Sequence, residues 1–377
     1  MNKIFLVVAF VAALAGAFFS TKTLSLVEKN IADAKEEARP ANVKIVKITT
    51  DSCLDCFDVE KAVSDFKKQN VKVEEEKTLN FDSEEAASSI KQLGITKVPT
   101  YFVTGEVTKS NLESYVKNNG EIKADTFVFK KVLPVFVDAD SREEKGKVVA
   151  TILTDPSCPK CIDPKLTIEN FKKAGIKIVD QREASYNSYE GTKLINQYKI
   201  TKIPTFLFSS DIDLYDNVKS SWTNIGTIEE DKTYIARNLF LPYRDLEKNQ
   251  IMGLVNLTYL VDSTCPACYK ADQVQKPILT QGYGIALNYE RAVDISSFEG
   301  QNLISRYNIT KVPTVLLSAD ADQYANLKNV WKNVGTVEAD GWYVFREMQQ
   351  LQGVIYKDLV TNQITGQAAP TPQGENK

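Results

Sequence analysis

Ile95-Thr96-Lys97-Val98-Pro99-Thr100 returns almost unchanged as Ile200-Thr201-Lys202-Ile203-Pro204-Thr205 and again as Ile309-Thr310-Lys311-Val312-Pro313-Thr314. Upstream of each proline lies a cysteine pair: Cys53-Leu54-Asp55-Cys56, Cys158-Pro159-Lys160-Cys161 and Cys265-Pro266-Ala267-Cys268. The first cysteine of each pair stands 46, 46 and 48 residues before its proline. Downstream, a glycine is followed five residues later by an aspartate, as Gly120/Asp125, Gly226/Asp231 and Gly335/Asp340. The first cysteines are 105 and 107 residues apart, and the three pairs use all six cysteines of the chain. Three ordered landmarks at one period establish an internal repeat. The period is that of a small domain, far longer than a solenoid unit, so each copy builds its own core.

Within a copy, an apolar β-branched run (43–49, 148–154, 254–261) predicts a strand that ends just before the cysteines. Val59, Val63 and Phe66, or Ile168 and Phe171, then fall at helical spacing. A second β-rich run such as 175–179 and a second helix (84–93, 189–198, 299–307) lead to the Thr-Lys-Val/Ile-Pro turn. A further apolar strand follows the proline, and another short strand ends at the glycine. Thr-Ile/Val-Glu after that glycine predicts a closing helix, with threonine capping and glutamate favouring its N-terminus. The expected order is βαβα, then ββα.

The 377-residue chain has 46 Lys+Arg against 49 Asp+Glu, without the basic excess that holds nucleic acid. Its 25% charged and 43% hydrophobic residues are ordinary globular values. Histidine is absent, so no imidazole serves as general base, proton shuttle or metal ligand. Histidine-based hydrolase triads, two-histidine zinc sites and c-type haem attachment fall together. Chemistry is left chiefly to cysteine.

These residues resemble the thioredoxin-like family, with tandem copies as in the protein disulfide isomerases. The resemblance covers about residues 42–361 and implies an α/β fold of three tandem thioredoxin-like domains, each a central mixed sheet flanked by helices. The domains are expected over 42–145, 146–252 and 253–361. In that family the cysteine pair sits at the N-terminus of the first long helix, faced by a cis proline. The resemblance implies catalytic roles for Cys53, Cys158 and Cys265 as nucleophiles, their thiolates favoured by the helix N-terminus, with Cys56, Cys161 and Cys268 resolving the mixed disulfide. It implies a substrate-binding cis-proline loop of Val98-Pro99, Ile203-Pro204 and Val312-Pro313, whose backbone is free to pair with an extended client.

The dipeptide between the cysteines is expected to tune each pair. The Lys160 charge within roughly 6 Å of a sulfur is worth about 0.7–2.8 kcal/mol in favour of thiolate, and Asp55 acts oppositely. The second pair is then the most oxidising and the first the most reducing. Three departures from the family stand out. Ser52, Ser157 and Thr264 occupy the position before the first cysteine, where many thioredoxins carry tryptophan. No histidine lies between the cysteines. Lys47, Ile152 and Tyr259 stand where thioredoxin-type reductases bury an acid. Asp51, Asp155 and Asp262 read as solvated turn aspartates, and Trp222 and Trp331 as packing residues.

At the N-terminus, Lys3 precedes an apolar run over residues 4–19, with Ala15-Gly16-Ala17 inside it. Residues 1–20 are expected to be either a signal peptide cleaved after Ala17 or a retained membrane anchor. Both place the folded part outside the cytoplasm, at the cell envelope, where disulfides persist. Residues 21–41 read as a polar spacer and 362–377 as a disordered tail. The segments 134–138, 241–246 and 355–359 read as ordered linkers fixing one module against the next.

The function expected is an exported thiol-disulfide oxidoreductase or isomerase, working on protein cysteines through mixed disulfides. It requires no cofactor and no metal, and its partners are exported cysteine-bearing proteins and an electron-transfer partner. The alternative is a non-enzymatic binding or scaffold protein of the cell envelope whose pairs are structural disulfides. Metal binding is disfavoured because the pairs lie about 100 residues apart, against the roughly 15–20 of a zinc ribbon.

Overall fold

The computed structural model describes residues 28–366. The expected signal or anchor, the start of the spacer and most of the expected tail lie outside the described residues. Among the described residues, no helix is long and apolar enough to cross a membrane. The chain forms two compact units, one of residues up to Lys147 together with Asp211–Asp216, the other of Val148–Ser210 and Asn217 onward.

The first unit holds domain 1. Its strands are β1 (Ala41–Thr49), β2 (Val71–Asn80), β3 (Lys97–Val98), β4 (Thr100–Gly105), β5 (Gly120–Lys123), β6 (Thr126–Phe129), β7 (Phe136–Asp138) and β8 (Glu144–Lys145). Helices α1 (Val59–Lys67), α2 (Glu84–Leu93) and α3 (Glu113–Asn119) interleave with them. The five-stranded sheet runs β2-β1-β4-β6-β5, with β1 parallel to β2 and antiparallel to β4. Parallel pairing of consecutive strands requires a crossover, and α1 supplies it. Asp58 caps α1 by accepting the Lys61 amide, and α2 starts at Ser83, which accepts that of Ala86, and ends at left-handed Gly94. One face of the sheet buries Phe66, Tyr101 and Phe127. The other face buries Ile48, Phe102 and Val128 together with Cys53.

The second unit repeats the plan twice. Domain 2 has β9 (Val148–Thr154), β10 (Ile178–Ser185), β11 (Lys202–Ile203), β12 (Thr205–Phe208), β13 (Gly226–Ile228), β14 (Tyr234–Ala236), β15 (Tyr243–Asp245) and β16 (Gln250–Met252), with α4 (Lys165–Lys173), α5 (Tyr189–Tyr198) and α6 (Asp216–Ser221). Domain 3 has β17 (Leu254–Val261), β18 (Ala286–Asp294), β19 (Lys311–Val312), β20 (Thr314–Leu317), β21 (Gly335–Val337), β22 (Tyr343–Phe345), β23 (Tyr356–Asp358) and β24 (Gln363–Thr365), with α7 (Ala271–Pro277), α8 (Phe298–Tyr307) and α9 (Ala325–Trp331). Their sheets run β10-β9-β12-β14-β13 and β18-β17-β20-β22-β21, the same order as in domain 1. Three mixed sheets of one topology, flanked by helices, are three tandem thioredoxin-like domains.

Three expectations are corrected. Among the described residues no α-helix closes a domain after the glycine landmark: β13 and β14 form a hairpin, and the last α-helix of the domain, α6, precedes it. The Thr-x-Glu pattern that reads as a helix start is instead a cross-strand clamp. Arg237 donates to the Thr227 hydroxyl at 2.6 Å and to Glu229 at 2.9 Å, and Arg346 holds Thr336 and Glu338 at 2.6 and 2.8 Å.

Second, the linkers do not join module to module. Each makes the first strand of a hairpin that folds back on its own domain, giving three small sheets: β3-β7-β8, β11-β15-β16 and β19-β23-β24. The third of these hairpins ends at Thr365, so chain expected to be tail is a strand. Third, the cysteine pairs do not open the first helix. The helices begin six or seven residues after the first cysteine, at Val59, Lys165 and Ala271. Trp222 and Trp331 are core residues, and each indole N–H is satisfied, by the Thr227 and Thr336 carbonyls at 2.9 and 3.0 Å.

Candidate functional site

Each pair lies in the turn that leaves the interior strand β1, β9 or β17, and all three are closed. The S–S bonds are 2.03, 2.07 and 2.06 Å, with Cα atoms 5.4 Å apart in each. In domains 2 and 3 the turn is built alike. The first cysteine donates its amide to the carbonyl of the aspartate three residues back (Asp155 or Asp262), and the second donates to the carbonyl of the first, all at 3.1 Å. The chain then leaves the turn, and its next amide is taken by the hairpin segment: Phe57 donates to Val135 at 2.7 Å, Ile162 to Pro242 at 3.3 Å and Tyr269 to Ile355 at 2.8 Å. This capture explains why no helix continues from the cysteines.

The proline of each repeat is cis (Val98-Pro99, Ile203-Pro204, Val312-Pro313), and the register sets it beside the end of the strand that leads to the cysteines: Thr100 pairs with Ile48, Thr205 with Leu153 and Thr314 with Leu260. Val98 packs in one cluster with Cys53, and Pro313 lines a cleft of about 570 Å³ together with Cys265 and Cys268. The backbone before each proline is not free, however. Lys97 and Val98 pair with Asp138 and Val137, Lys202 and Ile203 with Asp245 and Arg244, Lys311 and Val312 with Asp358 and Lys357. The edge expected to receive an extended client is filled by the domain's own hairpin. Val98, Ile203 and Val312 are fully buried.

The exposure of the cysteines is graded. Cys53, Cys158 and Cys265 are only 7%, 5% and 6% exposed, whereas Cys56, Cys161 and Cys268 are half-buried. Cys53 shares its apolar cluster with Val135 and Val137 of the hairpin.

Two of the three aspartates near the cysteines are not solvated. Asp155 and Asp262 are buried, and each accepts the amide and hydroxyl of the residue before the first cysteine: Ser157 at 2.9 and 2.6 Å, Thr264 at 2.9 and 2.5 Å. Each also meets a cation from the hairpin, Arg244 to Asp155 at 2.7 Å and Lys357 to Asp262 at 2.7 Å. Burial alone pushes these carboxyls up, but the hydroxyl, amide and cation together hold both below the ordinary aspartate value. Domain 1 has Thr50 in the corresponding place, its hydroxyl 2.8 Å from that of Ser52, and Val137 where the cation would stand. Asp51 sits one position on and is exposed, accepting from the Asn80 amide group at 3.0 Å. The sequence carried this signal: Arg244 and Lys357 precede Asp245 and Asp358, which turn their hairpins by accepting amides two and three residues ahead.

The residues expected to tune the pairs lie on the surface. Lys160 reaches into domain 3, donating to the Leu287 carbonyl at 2.9 Å and also to that of Asn288. Asp55 lines a cleft of about 590 Å³ in domain 1 with Cys56, Phe57 and Phe129. The buried-acid position is filled differently in each domain. Lys47 is buried between Glu60 and Glu76 at 2.6 and 3.0 Å, and these partners raise its pKa against the opposing effect of burial. Ile152 is core. Tyr259 donates to Glu290 at 2.7 Å inside the domain 3 cleft, and burial raises its pKa. In the same cleft the Tyr269 hydroxyl donates to the Pro313 carbonyl at 2.9 Å, a direct tie between the cysteine turn and the cis proline. Among the described residues, no cluster of three or more His, Cys, Asp or Glu is placed to hold a metal ion.

No family model matches the chain. No curated protein matches it either. Solved structures similar to it include ERdj5 form II, at 13% identity over 82% of this chain with a TM-score of 0.16. A protein disulfide oxidoreductase from Aeropyrum pernix K1 is 14% identical over 46% of this chain and 77% of its own, with a TM-score of 0.14. Human ERp44 is 9% identical over 84% of this chain and 94% of its own, also at 0.14. The chain spans 45% of the length of that ERdj5 structure. The fold rests on the strand order, not on these likenesses.

Proposed function

We propose that the chain is a thiol-disulfide oxidoreductase or isomerase of exported proteins. The observation that supports this reading is the recurrence, in all three domains, of a Cys-x-x-Cys disulfide in the turn after β1, β9 or β17, with a cis proline at the start of the neighbouring strand. In the oxidising direction a client thiolate attacks one sulfur of the pair. The pair's S–S bond breaks, a mixed disulfide forms, and the released cysteine takes up a proton. A second client thiolate then attacks the client's own sulfur in that mixed disulfide. The client leaves with a disulfide and the module with two thiols, two electrons and two protons having moved to the module. Reduction is the reverse; isomerisation starts from the dithiol module, whose thiolate opens a client disulfide to form a mixed disulfide and is then displaced by another client thiolate, so the module ends as it began and no electrons are transferred. Resetting the module requires a partner protein that carries a dithiol or disulfide of suitable potential. The apolar run over residues 4–19, read from the sequence as a signal peptide or membrane anchor, is the ground on which we propose the cell envelope as the place of this work.

A scaffold role for the same fold is supported by one observation, the filled edge beside each proline. Trapping separates the two. Cys161→Ala and Cys268→Ala in the full chain are expected to accumulate mixed disulfides with envelope proteins, and the wild type to catalyse oxidation or reduction of a cysteine-bearing substrate. Absence of adducts and of turnover would establish the scaffold.

A further inference from the structure

Each cysteine turn is bonded to a hairpin that is a piece of the same domain, and the three hairpins are fastened in two ways. In domains 2 and 3 the strand beside the proline carries a cation, Arg244 or Lys357, that ends on the buried aspartate of the cysteine turn. Arg244 also donates to the Ser157 hydroxyl at 2.7 Å, so it grips the turn at two atoms. In domain 1 both members of the pair are absent together: Thr50 replaces the acid and Val137 the cation. There the cover is apolar, with Val135, Phe136 and Val137 at 2–3% exposure. Acid and base thus stand or fall as a unit at positions 89 and 95 residues apart, as contact partners do.

The two fastenings respond differently to lifting. Raising the domain 1 hairpin returns buried apolar surface to water with nothing in exchange. Raising β15 or β23 frees side chains that are mostly half-buried already, such as Tyr243 and Tyr356, and exchanges a protein ion pair for two hydrated ions, which is close to balanced. The cleft geometry agrees. In domain 3 it reaches Cys265, Cys268 and Pro313, whereas the domain 1 cleft reaches Cys56 but neither Cys53 nor Pro99.

We propose that the three hairpins are lids over the disulfides, that the lids of domains 2 and 3 open through the ion-pair latches Asp155–Arg244 and Asp262–Lys357, and that the apolar lid of domain 1 keeps its disulfide shut. This deepens the exchange reading above and rests on it for its biological sense. It adds which modules meet clients: the second and third exchange, while the first holds a structural disulfide.

The test is site-resolved reduction of the full chain by excess dithiothreitol. Two thiols of the reagent become a cyclic disulfide as one pair becomes two protein thiols. Samples are quenched in acid, alkylated and read peptide by peptide in a mass spectrometer. The pairs 158/161 and 265/268 are expected to be reduced at least about tenfold faster than 53/56, tenfold being about 1.4 kcal/mol. Transplanting the domain 1 fastening, as Asp155→Thr with Arg244→Val, is expected to slow pair 158/161 by several-fold and leave 265/268 alone. The reciprocal Thr50→Asp with Val137→Arg is expected to speed pair 53/56, so the proposal does not hang on one variant folding. A 53/56 pair reduced as fast as the others, or rates indifferent to both transplants, overturns it. This readout is stoichiometric and needs no turnover. Ordered rates without client adducts would remove the exchange function alone, and adducts with equal rates would remove the lids alone.

Discussion

Arg244→Met leaves Asp155 with its carboxylate in place and its counter-ion gone. The Asp155 side chain is fully buried, and that of Arg244 is 12% exposed. Removing one partner of a buried pair costs about 3–5 kcal/mol, because the remaining charge is uncompensated. The Ser157 hydroxyl and amide still serve the carboxylate at 2.6 and 2.9 Å, which puts the expected loss near the lower end, about 3 kcal/mol. The assay is hydrogen exchange in the full chain, read on peptides over 148–154 and 243–252, with the equivalent peptides of domain 3 as internal control. About 3 kcal/mol corresponds to opening that is roughly a hundredfold or more easier. The sign with pH follows. In the wild type the Asp155 carboxyl titrates below its ordinary 3.8, so its contribution is present above that value and lost as pH falls through the folded value. Without Arg244, burial pushes the carboxyl up, the folded state binds the extra proton, and the defect shrinks on acidification toward pH 4. A loss under about 1 kcal/mol at pH 7, the scale of an exposed pair, would refute the reasoning. So would a defect that grows on acidification.

Lys47→Met is expected to stay within about 1 kcal/mol of wild type by urea unfolding, because it strands Glu60, which is 63% exposed, and Glu76, 27% exposed, not a buried charge. Lys160→Gln is expected to shift the potential of pair 158/161 by less than the roughly 15–60 mV that a lysine charge beside the sulfur implies, since its ammonium is held by the Leu287 and Asn288 carbonyls. Redox titration against glutathione, read on that pair, decides. Gly191→Ala is expected to destabilise domain 2 by about 1–3 kcal/mol in thermal unfolding, because a Cβ there would lie 2.0 Å from the Ser185 carbonyl oxygen. In domain 1 Ala86 already fills that place, third residue after the capping serine.

The parts of the fold that could be read in the sequence are those whose signal is local. β9, β17 and α5 run over the residues their hydrophobic periods predict, because each carries enough apolar side chains to declare a face. The cis-proline turn was marked by threefold recurrence. What escaped were strands of two or three residues, β7, β15 and β23, too short to show alternation. Their partners lie about 40 residues away, and nothing in a three-residue strand names a partner. Thr227-Ile228-Glu229 misled for a related reason: threonine and glutamate two residues apart suit a helix start, and the arginine that claims both is 10 residues on from the threonine. At the site, the cysteines and prolines could be found from spacing, but the burial of Asp155 and Asp262 could not. It depends on a cation that arrives from a segment with the composition of a linker.

A strand tethered to the edge it fills is a competitor that never diffuses away. Short flexible tethers present their ends at an effective concentration in the millimolar range. A client segment of the proposed kind would have to outbid a resident ligand at about that concentration before it could align along β11 or β19. Brief encounters with folded proteins, whose own strands are already paired, fail this contest. Chains with long extended stretches, held nearby for other reasons, win it. If the chain exchanges disulfides with clients as proposed, the hairpins set a threshold on how unfolded and how concentrated a client has to be.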